Sequence, residues 1–121
     1  MVGKHVMANC YGIRDDVTEE ELVRVVVESA ELANMTLVEV RSWSFEGEKG
    51  GVSVIALVVE SHIAVHTWSK HRYATVDVYT CGADSDPWVA AKKIIEYLRP
   101  ERVVFSYRDR SYREEAVRSA G

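Results

Sequence analysis

The sequence predicts an α/β fold of the α+β kind: a two-layer sandwich with one antiparallel-rich sheet and two helices on one face. Three observations carry this. Two segments repeat apolar residues at helical spacing, and six short segments are rich in β-branched and aromatic residues. Two helices cannot cover both faces of so many strands, so one face of the sheet stays open. At 121 residues the chain builds one domain around one core.

The elements follow in order. Lys4 to Tyr11 is a mostly apolar run ending at Gly12 and reads as the first strand. Thr18-Glu19-Glu20-Glu21 is a capping box, and Leu22, Val25, Val26, Ala30 and Ala33 continue it as a helix from Thr18 to about Asn34. Its consecutive valines are poor helix formers, so the helix must gain stability by packing on the sheet. Leu37 to Phe45 alternates and predicts a half-buried strand, followed by the glycine- and charge-rich turn Glu46 to Gly51. Val52 to Val59 is apolar on both faces and reads as a central strand. Ile63 to Trp68 and Tyr73 to Thr80 are two more strands, joined through the polar Ser69-Lys70-His71-Arg72. The pattern allows the third and fourth strands to run on as one across Glu60-Ser61. Asp86-Pro87 then starts a second helix as N-cap and first helical residue. Trp88, Ala91, Ile94, Ile95 and Leu98 form one face of it, and Pro100 closes it. Val103 to Tyr107 is a last strand, and the polar tail from Arg108 is expected to fray. The uncovered sheet face is expected to pair with a second chain.

Charge and cysteine usage exclude several classes. A formal net charge of -4 with dispersed cations offers no field for nucleic acid. The longest apolar run is too short to span a membrane, and Met1 to His5 lacks the layout of a signal peptide. Cys10 and Cys81 form neither a metal-ligating spacing nor a disulfide framework, so a reducing cytoplasm and no bound metal are expected.

The reactive residues gather between positions 53 and 82. Ser61 stands at a boundary between two β-rich runs, outside any Gly-x-Ser-x-Gly elbow. His62 and His66 are four apart, which on a strand puts both on one face together with Ala64 and Trp68. Cys81, before Gly82, is set at the end of a strand, on the rim of the sheet where ligands gather. Asp77 reads as a hydrogen-bonded edge residue and Cys10 as inert core. Taken singly, each of these residue types is more often structural than catalytic.

In combination they are specific. Gly51-Val52-Ser53, Glu60-Ser61-His62, His66-Thr67-Trp68, Asp77 to Gly82 and Asp86-Pro87-Trp88 resemble the prokaryotic S-adenosylmethionine decarboxylase family of pyruvoyl enzymes, over nearly the whole chain. The resemblance implies that Ser61 is the self-cleavage serine, whose hydroxyl attacks the Glu60 carbonyl. The chain would split into 1–60 and 61–121, with a covalent pyruvoyl group capping position 61. That ketone would form a Schiff base with a substrate amine and draw off electrons as carbon dioxide leaves. By the same resemblance His66 is the base in processing, Ser53 assists it, and Cys81 is the acid that reprotonates the α-carbon. The active sites would lie at the interface of a homodimer of cleaved protomers.

One position departs from that pattern. The nucleoside-specific members carry Pro-Glu after His-Thr-Trp, and that carboxylate accepts hydrogen bonds from ribose hydroxyls. Here the residues are Ser69 and Lys70, and an ammonium has donors only. The chain is also similar, in Val2-Gly3-Lys4-His5-Val6 and Asp109-Arg110-Ser111, to an archaeal branch that converts arginine to agmatine. Arginine is therefore the expected substrate, a small cationic amino acid, with S-adenosylmethionine as the alternative. An arginine site should offer a carboxylate to the guanidinium, and Asp15, Asp16, Glu46 and Glu48 are the candidates. A processing-dead binding or partner subunit is the remote alternative, disfavoured by the intact Ser61, His66 and Cys81.

Overall fold

A computed structural model describes residues 1–120, with side chains described through Val117. Six strands form one antiparallel sheet: β1 (Lys4–Tyr11), β2 (Leu37–Phe45), β3 (Gly51–Val58), β4 (Ser61–Trp68), β5 (Tyr73–Thr80) and β6 (Arg102–Asp109), in the spatial order β2-β3-β4-β5-β1-β6. Helices α1 (Glu19–Leu32) and α2 (Pro87–Leu98) lie on one face, and a short α3 (Glu114–Ala120) follows β6. The two-layer sandwich predicted from the sequence is the architecture observed.

Alternation along the central strands decides which side chains enter the core. Val6, Ala8 and Cys10 of β1, Val54 and Ala56 of β3, Ile63 and Val65 of β4, and Val76 and Val78 of β5 point to the helices and are buried. Leu22, Val26 and Ala30 of α1 and Ala91, Ile94 and Leu98 of α2 meet them from above. Burying such side chains contributes roughly 1.5–3 kcal/mol each for the larger ones, which offsets the low helix propensity of the α1 valines. Both helices start where the sequence predicts, although the Thr18 N–H donates to the Tyr97 hydroxyl and not to the Glu21 side chain that a full capping box would use. The Thr18 side chain accepts from the Glu21 N–H, and Asp86 accepts from the Trp88 N–H with Pro87 in the first turn.

Four expectations are corrected. β3 and β4 are not continuous: Val58 pairs with Ser61, and Val59-Glu60 form a tight hairpin turn. A strand carried on across Glu60-Ser61 would have given up that pairing. β2 is largely exposed rather than half-buried, because it is the outermost strand and only Val40, Ser42 and Trp43 are sheltered. β6 extends to Asp109 through its pairing with β1, and the tail after it forms α3 instead of fraying. Asp77 is no edge residue, since β5 lies between β4 and β1.

Gly51 is required where β3 begins. A Cβ there would run into the Thr67 carbonyl oxygen of β4, and Thr67 itself closes the rung by bonding both the N–H and the carbonyl of Val52. No helix among the described residues is long and apolar enough to cross a membrane.

Candidate active site

The residues singled out by the sequence fall into two groups at different places along the sheet. The first is at the β3–β4 turn. Ser61 adopts φ = 150°, a backbone conformation that non-glycine residues rarely enter, and neither Val59 nor Glu60 takes a positive φ to relieve it. Glu60, just before it, is held on several sides. The Val59 N–H donates to the Thr36 carbonyl (2.8 Å), and the Thr36 N–H donates back to Glu60 Oε1 (2.8 Å). The Cys81 N–H donates to the Glu60 carbonyl oxygen at 2.8 Å. A backbone N–H aimed at a carbonyl oxygen is the arrangement that stabilises negative charge if the carbonyl carbon is attacked. Among the described residues no hydrogen bond holds the Ser61 hydroxyl.

The segment carrying Cys81 is fixed from below. Lys4 Nζ donates to the carbonyls of Gly82, Ala83 and Ser85 at 3.4, 3.3 and 2.9 Å. Buried Thr80 and Ser85 share a 2.5 Å hydroxyl contact, and the Gly82 N–H donates to Thr80 Oγ1. Gly82 has no room for a side chain, because a Cβ would meet Glu60 Cγ at 2.9 Å. Cys81 is half-buried, whereas burial in the core pushes the Cys10 thiol up to about 11 and keeps it protonated.

The second group is on the open face. His66 Nδ1 contacts Ser53 Oγ at 2.9 Å, and the two residues are register partners across β3 and β4. The rings of His66, Trp68, Tyr73 and Tyr11 follow one another toward one end of the sheet. Toward the other end, Asp77 Oδ1 contacts His5 Nε2 at 2.7 Å and His62 Nε2 at 3.3 Å. These three ligand atoms lie within 4.8 Å of one another, but both imidazoles contact the carboxylate directly, so a metal ion bound by all three would have to part both contacts. Sequence reasoning passed over His5 and misplaced Asp77. Their meeting needs the β1–β5 and β4–β5 pairings, which no local pattern reveals.

Ser61 and Cys81 are therefore neighbours through the Glu60 carbonyl, and Ser53 and His66 meet directly, but the two pairs stay apart. Five residues separate Ser61 from His66 along β4, about 16 Å at strand rise. The candidate guanidinium ligands fare differently. Asp16 is held by both nitrogens of the Arg14 fork, at 2.7 and 3.2 Å, which keeps its carboxyl below the usual range. Glu48 receives Lys70 at 3.1 Å, so the ammonium at position 70 is neutralised within the chain.

A model of the family described as S-adenosylmethionine decarboxylase matches residues 4–111. The chain belongs to that family. The arginine decarboxylase proenzyme of Hyperthermus butylicus is 55% identical over 92% of this chain and 80% of its own length. That of Ignicoccus hospitalis is 58% identical over 92% of this chain and 78% of its own. Among solved structures, the adenosylmethionine decarboxylase of Aquifex aeolicus VF5 superposes with a TM-score of 0.83 at 34% identity, covering 94% of both chains. As a member of the S-adenosylmethionine decarboxylase family the chain is an enzyme, a carboxy-lyase, and the name proenzyme carried by its relatives fits a chain that processes itself.

Proposed function

We propose that this chain is a self-cleaving cytoplasmic proenzyme that decarboxylates arginine to agmatine, working as a homodimer with a pyruvoyl group made from Ser61. The observation that carries the processing step is the Glu60–Ser61 turn. The bond expected to break is flanked by a strained Ser61 whose hydroxyl is uncommitted, and its carbonyl oxygen is held by the Cys81 N–H. Attack of Ser61 Oγ on the Glu60 carbonyl carbon moves the acyl group from nitrogen to oxygen and releases the backbone strain. Elimination from the resulting ester frees Glu60 as a new C-terminus. Addition of water with loss of ammonia leaves the ketone at position 61.

When formed, the pyruvoyl group supplies an electrophilic carbonyl for the substrate amine and an electron sink for the departing carboxylate. The half-buried Cys81, one residue from the clamp on Glu60, stands where a proton can be returned to the α-carbon. His66 is too far from Ser61 in the same chain to remove its proton. The homodimer meets that need: a two-fold axis through the open face can set one chain's Ser61–Cys81 end over a second copy's Ser53–His66 rung.

The relatives named arginine decarboxylase proenzyme, at 53–58% identity, favour arginine as substrate. The ion pair of Lys70 with Glu48 supports this, since it removes the repulsion that a free ammonium would exert on a cationic substrate. S-adenosylmethionine is the second reading, favoured by the family model's description. Two measurements test the proposal. On a denaturing gel the wild-type chain should resolve into two nearly equal fragments, Ser61→Ala should stay whole, and Cys81→Ala should cleave yet turn over poorly. Carbon dioxide should be released from carboxyl-labelled arginine and not from labelled S-adenosylmethionine. Cleavage of the Ser61→Ala chain at Glu60 would remove Ser61 from its role, and turnover of the nucleoside alone would reverse the substrate.

A further inference from the structure

We infer that Asp77 is the carboxylate that receives the cationic end of the substrate, which makes the open-face cavity around it the specificity end of the site. This rests on the arginine reading above and deepens it. The cavity has a volume of about 500 Å³ and is lined by His5, Met7, His62, His66 and Asp77 among others. That is within the range of small-molecule sites. It contains both a proposed catalytic side chain and a carboxylate.

The charge pattern singles Asp77 out. Asp16 is consumed by the Arg14 fork and Glu48 by Lys70. Asp15 lines a cavity of only about 20 Å³, too small for a guanidinium, and Glu46 stands exposed on its turn. Asp77 is contacted by imidazoles instead. His5 Nδ1 faces Arg110 Nη1 at 3.4 Å, and a guanidinium only donates, so Nδ1 accepts and His5 carries its proton on Nε2, toward Asp77. In that arrangement His5 donates to the carboxylate through Nε2. The Arg110 guanidinium lies over the Tyr79 ring, 4.7 Å from its centroid, behind His5. Both imidazole contacts fall on Oδ1, leaving Oδ2 for an incoming N–H donor.

The spacing fits arginine. His66 is the register partner of Thr75, and Asp77 is two residues further along β5. The two rungs are thus about 7 Å apart, the reach of an extended arginine side chain. A substrate with its α-carbon at His66 would bring its guanidinium to Asp77. There it makes a charge-assisted hydrogen bond in place of its bonds to water.

The test uses the processed full-length enzyme, with the two-fragment gel pattern and arginine turnover established first for the wild type. Asp77→Asn should raise KM for arginine roughly ten- to a hundred-fold, with kcat changed far less and cleavage intact. It should also abolish the preference for agmatine over its uncharged ureido analogue as competitive inhibitor, a readout that a purely structural role would not move. Met7→Lys is a second variant, because Met7 is the register partner of Asp77 on β1 and also lines the cavity. An ammonium there should neutralise Asp77 and raise KM similarly without altering Asp77 itself. Cleaved variants that keep the wild-type KM and agmatine preference would overturn the inference, as would Glu48→Gln taking the loss instead. An uncut wild type, or one inert toward arginine, marks failure of the underlying reading.

Discussion

The β3–β4 turn and the Ser53–His66 rung belong to the same two strands, yet they are built in opposite ways. At the turn the backbone is forced: Ser61 is held at φ = 150° and Glu60 is fixed by Thr36 and Cys81. At the rung the backbone is regular antiparallel sheet, and the side chains alone do the work, Ser53 Oγ fixing one nitrogen of His66. The difference teaches where each kind of chemistry needs its order. A covalent bond that must break once is helped by strain in the chain that contains it. A proton that must be moved to or from a fixed point is helped by a rigid side chain on a relaxed scaffold. Because the sheet keeps the two regions apart in one chain, the proposed reaction would draw on a second copy to join them.

Placing the two regions on different chains should have the strongest effect. Cys81→Ala and His66→Ala should each be nearly inert alone. Co-expressed, they form mixed dimers in which one of two sites is intact, so labelled-arginine assays should recover roughly a quarter of wild-type turnover. No recovery would mean that both regions serve the same chain. Next in size is Gly51→Ala, which drives a methyl group into the Thr67 carbonyl beside the Ser53–His66 rung. It should cost about 1–3 kcal/mol by chemical denaturation and lower activity with it. Strain at the turn is tested by placing Ser61→Gly beside Ser61→Ala. Both should stay uncut, but the glycine chain should be more stable by about 1 kcal/mol, since it adopts positive φ without penalty. Equal stability would mean that the turn is not strained. The smallest effects lie outside both regions. Asp109 is held below the usual carboxylate range by the Ser111 side chain and N–H and by Arg113. A carboxyl lowered in the folded state stabilises above its ordinary pKa, and the benefit fades as pH falls toward the lowered value. Tm should therefore decline on acidification below about pH 4, slightly less steeply in Asp109→Asn. Thiol labelling at pH 8 should modify Cys81 and spare Cys10, whose ionisation is pushed to about 11.

Much of the fold was legible because the local signals are strong. The Thr18 and Asp86 caps, the apolar spacing of α1 and α2 and the alternation of β1 and β5 each carry their own physical cause. The Val59–Glu60 turn was not legible, since neither residue is a turn former and the positive φ falls on the serine after it. The exposure of β2 and the central place of Asp77 depend on strand order, which is set by long-range pairing. Among the candidate site residues, Ser61, His66 and Cys81 stood out through a family pattern. Nothing local showed that the sheet would divide them, nor that Lys70, between β4 and β5, would find Glu48 in the β2–β3 turn.

The strand order has one further consequence. Cutting at Glu60 leaves β1, α1, β2 and β3 on the first piece and β4, β5, α2 and β6 on the second. Yet β1 lies between β5 and β6, so the pieces are interleaved like the fingers of two hands. The proposed cleavage would break the chain without dividing the body. The two halves share seams at β3–β4, β5–β1 and β1–β6, and neither can leave without unzipping the sheet. The matured protein should migrate as one species under native conditions, and the halves should part only when the common core melts.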